Sequence, residues 1–193
     1  MYSNYLNKNA EKQILKWEKD FNVNVEISNP SKTRFGVFIP KYKGKNLIKI
    51  NNNLNKYSFL ITLVHELAHA SIWIKHGRSV RPHGDQWKEE FQRMMLGFLN
   101  PNYFPDDILE ALSLHMINPS ASTIRDVNLS EILIRYNNHD IITVSSIKDG
   151  DFFKTSDGRL FKKIEKLRKN YKCLELKSGK FYSFSPLSEI FPV

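Results

Sequence analysis

Residues 58–76, SFLITLVHELAHASIWIKH, are apolar nearly all the way round a helical wheel, and this run constrains the fold more than any other feature of the chain. A helix without a polar face has no side to offer to solvent, so the rest of the chain must wrap it. Gly77 stands where a helix C-cap is expected and ends the run. Ahead of the terminal Lys75 and His76, three ionisable side chains interrupt the run, His65, Glu66 and His69. An unpaired imidazole or carboxylate in such surroundings is costly, so these groups need a common reason to be there.

The segments around this helix supply an α+β frame. Leu6, Ala10, Ile14 and Trp17 recur at helical spacing over 5–20, and β-prone stretches follow around 23–28, 34–40 and 46–51, separated by Asn-Pro-Ser and Lys-Gly-Lys breaks. Asp85 is placed to act as the N-cap of a second long helix whose apolar face is Trp87, Phe91, Met94 and Met95. Further helices are expected over 105–116 and, after the NPSAST break, in NLSEILIRYN. Beyond about residue 140 short β-prone runs alternate with the turn signals Asp149-Gly150, Asp157-Gly158 and Ser178-Gly179, the pattern of a small antiparallel barrel or meander. The predicted organisation is a core over 1–120, a helical linker over 121–139 and a small basic β-barrel-like module over 140–193.

Composition narrows the class. A chain of 193 residues with 41% hydrophobic and 12% aromatic residues can bury a substantial core, which excludes a disordered or fibrous protein. Cys173 is the single cysteine, so no internal disulfide and no four-cysteine zinc ribbon can form. The polar N-terminus lacks an export signal, and no run approaches the ~18 apolar residues of a membrane span, so a cytoplasmic protein without a membrane partner is expected. The net charge of +9 resides in the two ends, which suits a polyanion such as nucleic acid and equally a solvated basic surface. In the last module Lys154, Arg159, Lys162, Lys163, Lys166, Arg168, Lys169 and Lys172 interleave with Phe153, Phe161 and Tyr171. Lys162, Lys163, Lys166, Arg168, Lys169 and Lys172 are the candidate nucleic-acid contacts, and an aromatic core with a solvated rim is the competing reading.

The segment His65-Glu66-Leu67-Ala68-His69 is HExxH. On a helix its imidazoles lie one turn apart on one face, where both can reach one tetrahedral zinc ion. Glu66 follows the first ligand directly and can act as general base towards a water that the metal acidifies. The competing reading is two buried histidines satisfied by ordinary partners. A third protein ligand is required. The metzincin pattern would need Gly at 72 and His at 75, where the chain has Ile72 and Lys75, and His76 is out of register. Glu89 and Glu90 could imitate the glutamate of a thermolysin-like site. His83 is the better candidate, just before a helix start, with Gly84 beside it to give the backbone freedom. Asp85 could also orient a ligating imidazole.

Taken with the loop and His83-Gly84-Asp85-Gln86-Trp87-Lys88, the motif resembles that of the SprT-like metallopeptidases, which include bacterial SprT proteins and the eukaryotic Spartan protease. Thr33-Arg34-Phe35-Gly36 resembles the family's preceding strand, and the likeness covers about residues 5–117. The resemblance implies a zincin-like core, His83 as third ligand, one zinc ion, and peptide-bond hydrolysis on protein substrates, including proteins carried by or crosslinked to DNA. It departs from many bacterial members, which end in a four-cysteine ribbon where this chain has a β-rich module. Two other classes remain in view. One is a nucleic-acid-binding or transcription-associated factor with a closed structural zinc, and the other is a metal hydrolase for small substrates. Trp17, Trp73 and Trp87 read as core, Cys173 as a packed thiol, and His115 and His139 lack ligand spacing to anything.

Overall fold

Asn55 opens the central helix, α2 (Lys56–His76), its side chain accepting from the backbone N–H groups of Tyr57 and Ser58. Gly77, at φ 61°, closes it in the left-handed region that glycine tolerates. From Ser58 to Ile72 burial runs nearly all the way round the helix, and Phe59, Leu63, Val64, Leu67 and Ala70 are fully removed from solvent. Each large apolar side chain so buried contributes about 1.5–3 kcal/mol.

The computed structural model describes residues 2–31, 34–121, 126–137 and 141–193 of the chain. The chain divides into two units, Met1–Tyr136 and Asn137–Val193. In the first unit α1 (Lys8–Asp20), capped by Asn7, buries Ala10 and Ile14. It leads into β1 (Val23–Ser28), β2 (Gly36–Tyr42) and β3 (Lys45–Asn51). The strand order is β1-β3-β2, with β3 parallel to β1 and antiparallel to β2. β3 is thus central and β2 is an edge. Lys43 and Gly44, at φ 47° and 84°, turn the β2–β3 hairpin. The buried Asn51 donates to the Arg34 carbonyl and accepts from the Ser31 N–H, which fixes the approach to β2.

Three further helices, α3 (Asp85–Leu96), α4 (Asp106–Ile117) and α5 (Val127–Ile134), complete the unit. α5 falls in the stretch read as a linker, and its Leu129 and Leu133 join the same core as α2, while the Leu133 carbonyl accepts from the Asn55 amide at 2.8 Å. The N-cap of α3 is Gly84 and not Asp85, which sits in the first turn.

The second unit is an antiparallel sheet of β4 (Phe152–Lys154), β5 (Leu160–Lys166), β6 (Tyr171–Glu175), β7 (Phe181–Phe184) and β8 (Phe191–Pro192). Its order is β7-β6-β5-β4-β8, so among the described residues it is an open meander with β8 added at the β4 side, and the barrel alternative gives way. Gly150, Gly158 and Gly179 have φ of 97°, 81° and 65°, as the three turn signals require. Phe153, Phe161, Cys173, Val144 and Ile190 form the core on one face. No helix among the described residues is long and apolar enough to cross a membrane.

Candidate metal centre

The 3.6-residue period of α2 brings His65 and His69 to one face, and the chain then returns through a tight turn. Arg81-Pro82-His83-Gly84 is closed by a hydrogen bond from the Gly84 N–H to the Arg81 carbonyl at 3.0 Å. Proline presets the second position of such a turn, and the third must take a positive φ. Here that residue is His83, at φ 60°. The backbone freedom expected of Gly84 is therefore needed at His83 itself, and strain of this kind persists only where the surroundings enforce it. Gly84 matters for space, because a Cβ there would lie 3.0 Å from the Arg81 carbonyl oxygen.

The turn drives the His83 ring against the other two. Its Nε2 lies 2.9 Å from Nε2 of His69 and 3.3 Å from Nε2 of His65. Four ligands about 2.0–2.1 Å from a tetrahedral ion are separated by roughly 3.3–3.4 Å, so the spacing fits one shared cation. Burial and the neighbouring imidazoles lower the pKa of His65, and burial followed by His83 lowers that of His69 to about 3. Those two rings are neutral at ordinary pH, the form that offers lone pairs to a metal. Three converging nitrogens cannot all satisfy one another as donors and acceptors, and a cation resolves that. Among the described residues these three form the one group of this kind able to hold an ion.

Trp87, read as core, is fully buried and is also the floor of this cluster. Its ring centroid lies 4.6, 5.1 and 4.7 Å from those of His65, His69 and His83, and it stacks on Phe91. Glu90, weighed as a ligand, points elsewhere. Its carboxylate accepts two 2.9 Å hydrogen bonds from Arg93, one from Ser71, and pairs with Lys75 at 3.1 Å. The Arg93 hydrogen bonds, helped by Ser71 and Lys75, bring its pKa down to about 2. Glu90 is thus a clamp between α3 and α2, and Glu89 is exposed.

Glu66 is 7% exposed and faces β2. Burial pushes its carboxyl up to about 8, against the opposing pull of the Phe38 backbone hydrogen bond and the Arg34 charge. β2 can lie this close because of Gly36. A Cβ there would stand 2.8 Å from both Ile50 Cδ1 and Thr62 Cγ2 and 3.0 Å from Glu66 Cγ. Of the Thr33–Gly36 segment, Thr33 lies outside the described residues, as does His139. His115 is buried and bonded to Asp126 at 2.7 Å, and its charge is among the influences that lower the His65 pKa. His76 ends α2, exposed, and Asp85 is exposed as well.

Glu66 and the three histidines open on a cleft of about 480 Å³. One wall is β2, with Val37, Phe38 and Pro40; the other is the end of α2 and the turn after it, with Trp73, Arg78, Val80 and Arg81.

In the second unit the predicted nucleic-acid contacts separate. Lys163 is 3% exposed, donates to the Ile147 carbonyl at 2.7 Å and sits over the Tyr171 ring, so it presents no charge to a surface partner. Phe153 and Phe161 are core. Lys162 lies over Phe152, Lys172 lies over Phe181 and pairs with Glu165, and Lys166, Arg168 and Lys169 are exposed around the β5–β6 turn.

A helix-borne HExxH, a histidine returned by a following turn and an edge strand over the motif glutamate define a metallopeptidase-like α+β domain. The chain belongs to the SprT-like family, which matches residues 3–107 and is associated with zinc metallopeptidases. Comparison with curated proteins and with solved structures gives no match.

Proposed function

We propose that the protein is a zinc-dependent metallopeptidase with a zincin-like core, in which His65, His69 and His83 hold one zinc ion and Glu66 is the general base. The observation that carries this reading is the convergence of three imidazoles beside a buried carboxyl at an open cleft. A bound zinc ion supplies Lewis acidity, which polarises a scissile carbonyl and acidifies water. Burial pushes the Glu66 carboxyl up to about 8, and next to a bound cation it is drawn back to the carboxylate, the form that takes the proton of the attacking water and delivers it to the leaving amine. The edge of β2 aligns an extended substrate by backbone hydrogen bonds, as edge strands commonly do. Three protein ligands leave a fourth position for water, which favours catalysis over the closed site of a purely structural zinc.

Proteins associated with DNA are the substrates this reading favours, supported by the net charge of +9 and by the exposed cations Lys166, Arg168 and Lys169. The test is cleavage of the protein itself and of a basic DNA-binding protein, with zinc, with and without single-stranded DNA. The Glu66→Gln protein is expected to keep one zinc per chain and to lose turnover. Turnover retained in that variant, or zinc bound with no protein cut, overturns the assignment.

A further inference from the structure

The charges around the cleft are one-sided. Glu66 is engaged with Phe38, and among the described residues the other charged side chains lining the cleft are Arg78 and Arg81. Nearby cations on α2 and α3 have an acid: Lys75 and Arg93 both pair with Glu90, at 3.1 and 2.9 Å. Arg78 and Arg81 are exposed, and among the described residues neither has an acidic partner. The nearest acid in the sequence is Asp85, just after the turn, and among the described residues it forms no ion pair with either arginine.

Their positions are also defined. Arg81 is the first residue of the hydrogen-bonded turn that presents His83, so its backbone is fixed two residues from the metal cluster. Arg78 lies in the 3₁₀ turn Gly77–Ser79 that follows the α2 cap. Trp73 and Val80 line the same cleft and make it partly apolar, and a guanidinium beside apolar surface is a better carboxylate receptor than one in open water, because screening there is weaker.

We propose that Arg78 and Arg81 form a specificity subsite that takes an acidic side chain, Asp or Glu, of the polypeptide segment entering the cleft. The proposal rests on the peptidase reading and deepens it. The preference belongs to the residues flanking the cut bond and not to the charge of the whole substrate protein. Each guanidinium can present two parallel N–H donors to a carboxylate.

The experiment separates binding from turnover. Zinc-loaded Glu66→Gln full-length protein is titrated by fluorescence anisotropy with three dye-labelled peptides of equal length, rich in Glu, Gln or Lys. The acidic peptide is expected to bind best, and Arg78→Glu/Arg81→Glu to weaken it by at least about fivefold while improving the Lys peptide. Lys177→Ala/Lys180→Ala, which removes positive charge from the second unit, should leave the preference in place. Loss of the preference in that control, or none to begin with, overturns the subsite. A single-stranded oligonucleotide that displaces the acidic peptide and depends on the same arginines also overturns it, in favour of a phosphate ligand. Cleavage of the same peptides by the unsubstituted protein then tests the peptidase reading by itself, since binding with the expected charge preference and no cleavage sinks that reading alone.

Discussion

Gly36→Ala is the most informative single change. The strand backbone there is regular, so alanine carries no conformational penalty, and space alone decides the outcome. The added methyl would meet Ile50 Cδ1 and Thr62 Cγ2 at 2.8 Å and Glu66 Cγ at 3.0 Å. Ile50 can yield by rotation, but Thr62 is short and branched, and Glu66 is hemmed in by burial. The relief available is to lift β2 from α2 or to turn the Glu66 carboxylate. Overpacking of this kind costs about 1–3 kcal/mol, which at ~2–4 °C per kcal/mol lowers the melting temperature by about 2–12 °C. None of the three atoms nearest the new methyl belongs to the proposed ligands His65, His69 and His83, so on that reading zinc affinity should be nearly unchanged while kcat falls by about 10- to 100-fold through a misplaced base. Melting, zinc competition with a chromophoric chelator and peptide turnover measure the three quantities separately. A variant with the melting temperature and turnover of the parent would refute the close seating of β2 on Glu66, and a large loss of zinc affinity would refute the separation of base from ligands.

Two further outcomes concern stability. Glu90→Gln should destabilise the first unit by about 1–2 kcal/mol, discounted because Lys75 and Arg93 are half-exposed. Because the folded carboxyl titrates at about 2 instead of 4.5, its contribution is complete above pH ~4.5 and is lost as pH falls towards 2. Denaturation of parent and variant at several pH values should therefore converge in acid, and a constant difference would contradict the clamp. For chelator-stripped protein, His69 is held at about 3 against an ordinary 6.5, so the unfolded chain takes up the proton first. Stability should fall with pH below 6.5 by up to about 1.4 kcal/mol per unit for that residue, and a His69→Ala melt series lacking a shallower slope would exclude it.

The parts of the fold set by local pattern were legible in the sequence. β1 and β3 lie where β-prone stretches were read, α2 ends at Gly77, and the three turn glycines adopt positive φ. The spacing of His65 and His69 and the choice of His83 anticipated the cluster, since helical periodicity and a short return loop leave little geometric freedom. What escaped is whatever depends on a neighbour distant in sequence. Glycine next to His83 invited the wrong assignment of the left-handed residue, because the turn type depends on Pro82 and on the Arg81 carbonyl. Glu90 and Glu89 look alike in sequence, and the helical phase relative to Ser71 separates clamp from solvated residue. Lys163 follows Phe161 at the two-residue period of β5 and so faces inward, but as a lysine in a basic run it carries no apolar signal of that burial. Gly36 was noticed only as the end of the Thr33–Gly36 segment, and nothing there foretold its crowding, which comes from Ile50, Thr62 and Glu66 on other elements.

The bond between the Asn55 amide and the Leu133 carbonyl bears on how the molecule is made. α2 leaves the ribosome early, yet the groups that seal its beginning, Leu133 and the buried Leu129, emerge only after α3 and α4. The histidine-bearing helix therefore remains an apolar surface without its last cover through much of synthesis. Vectorial folding would place the greatest need for chaperone protection in that interval. A fragment ending at residue 107, where the family match stops, would hold the molecule in that unsealed condition permanently.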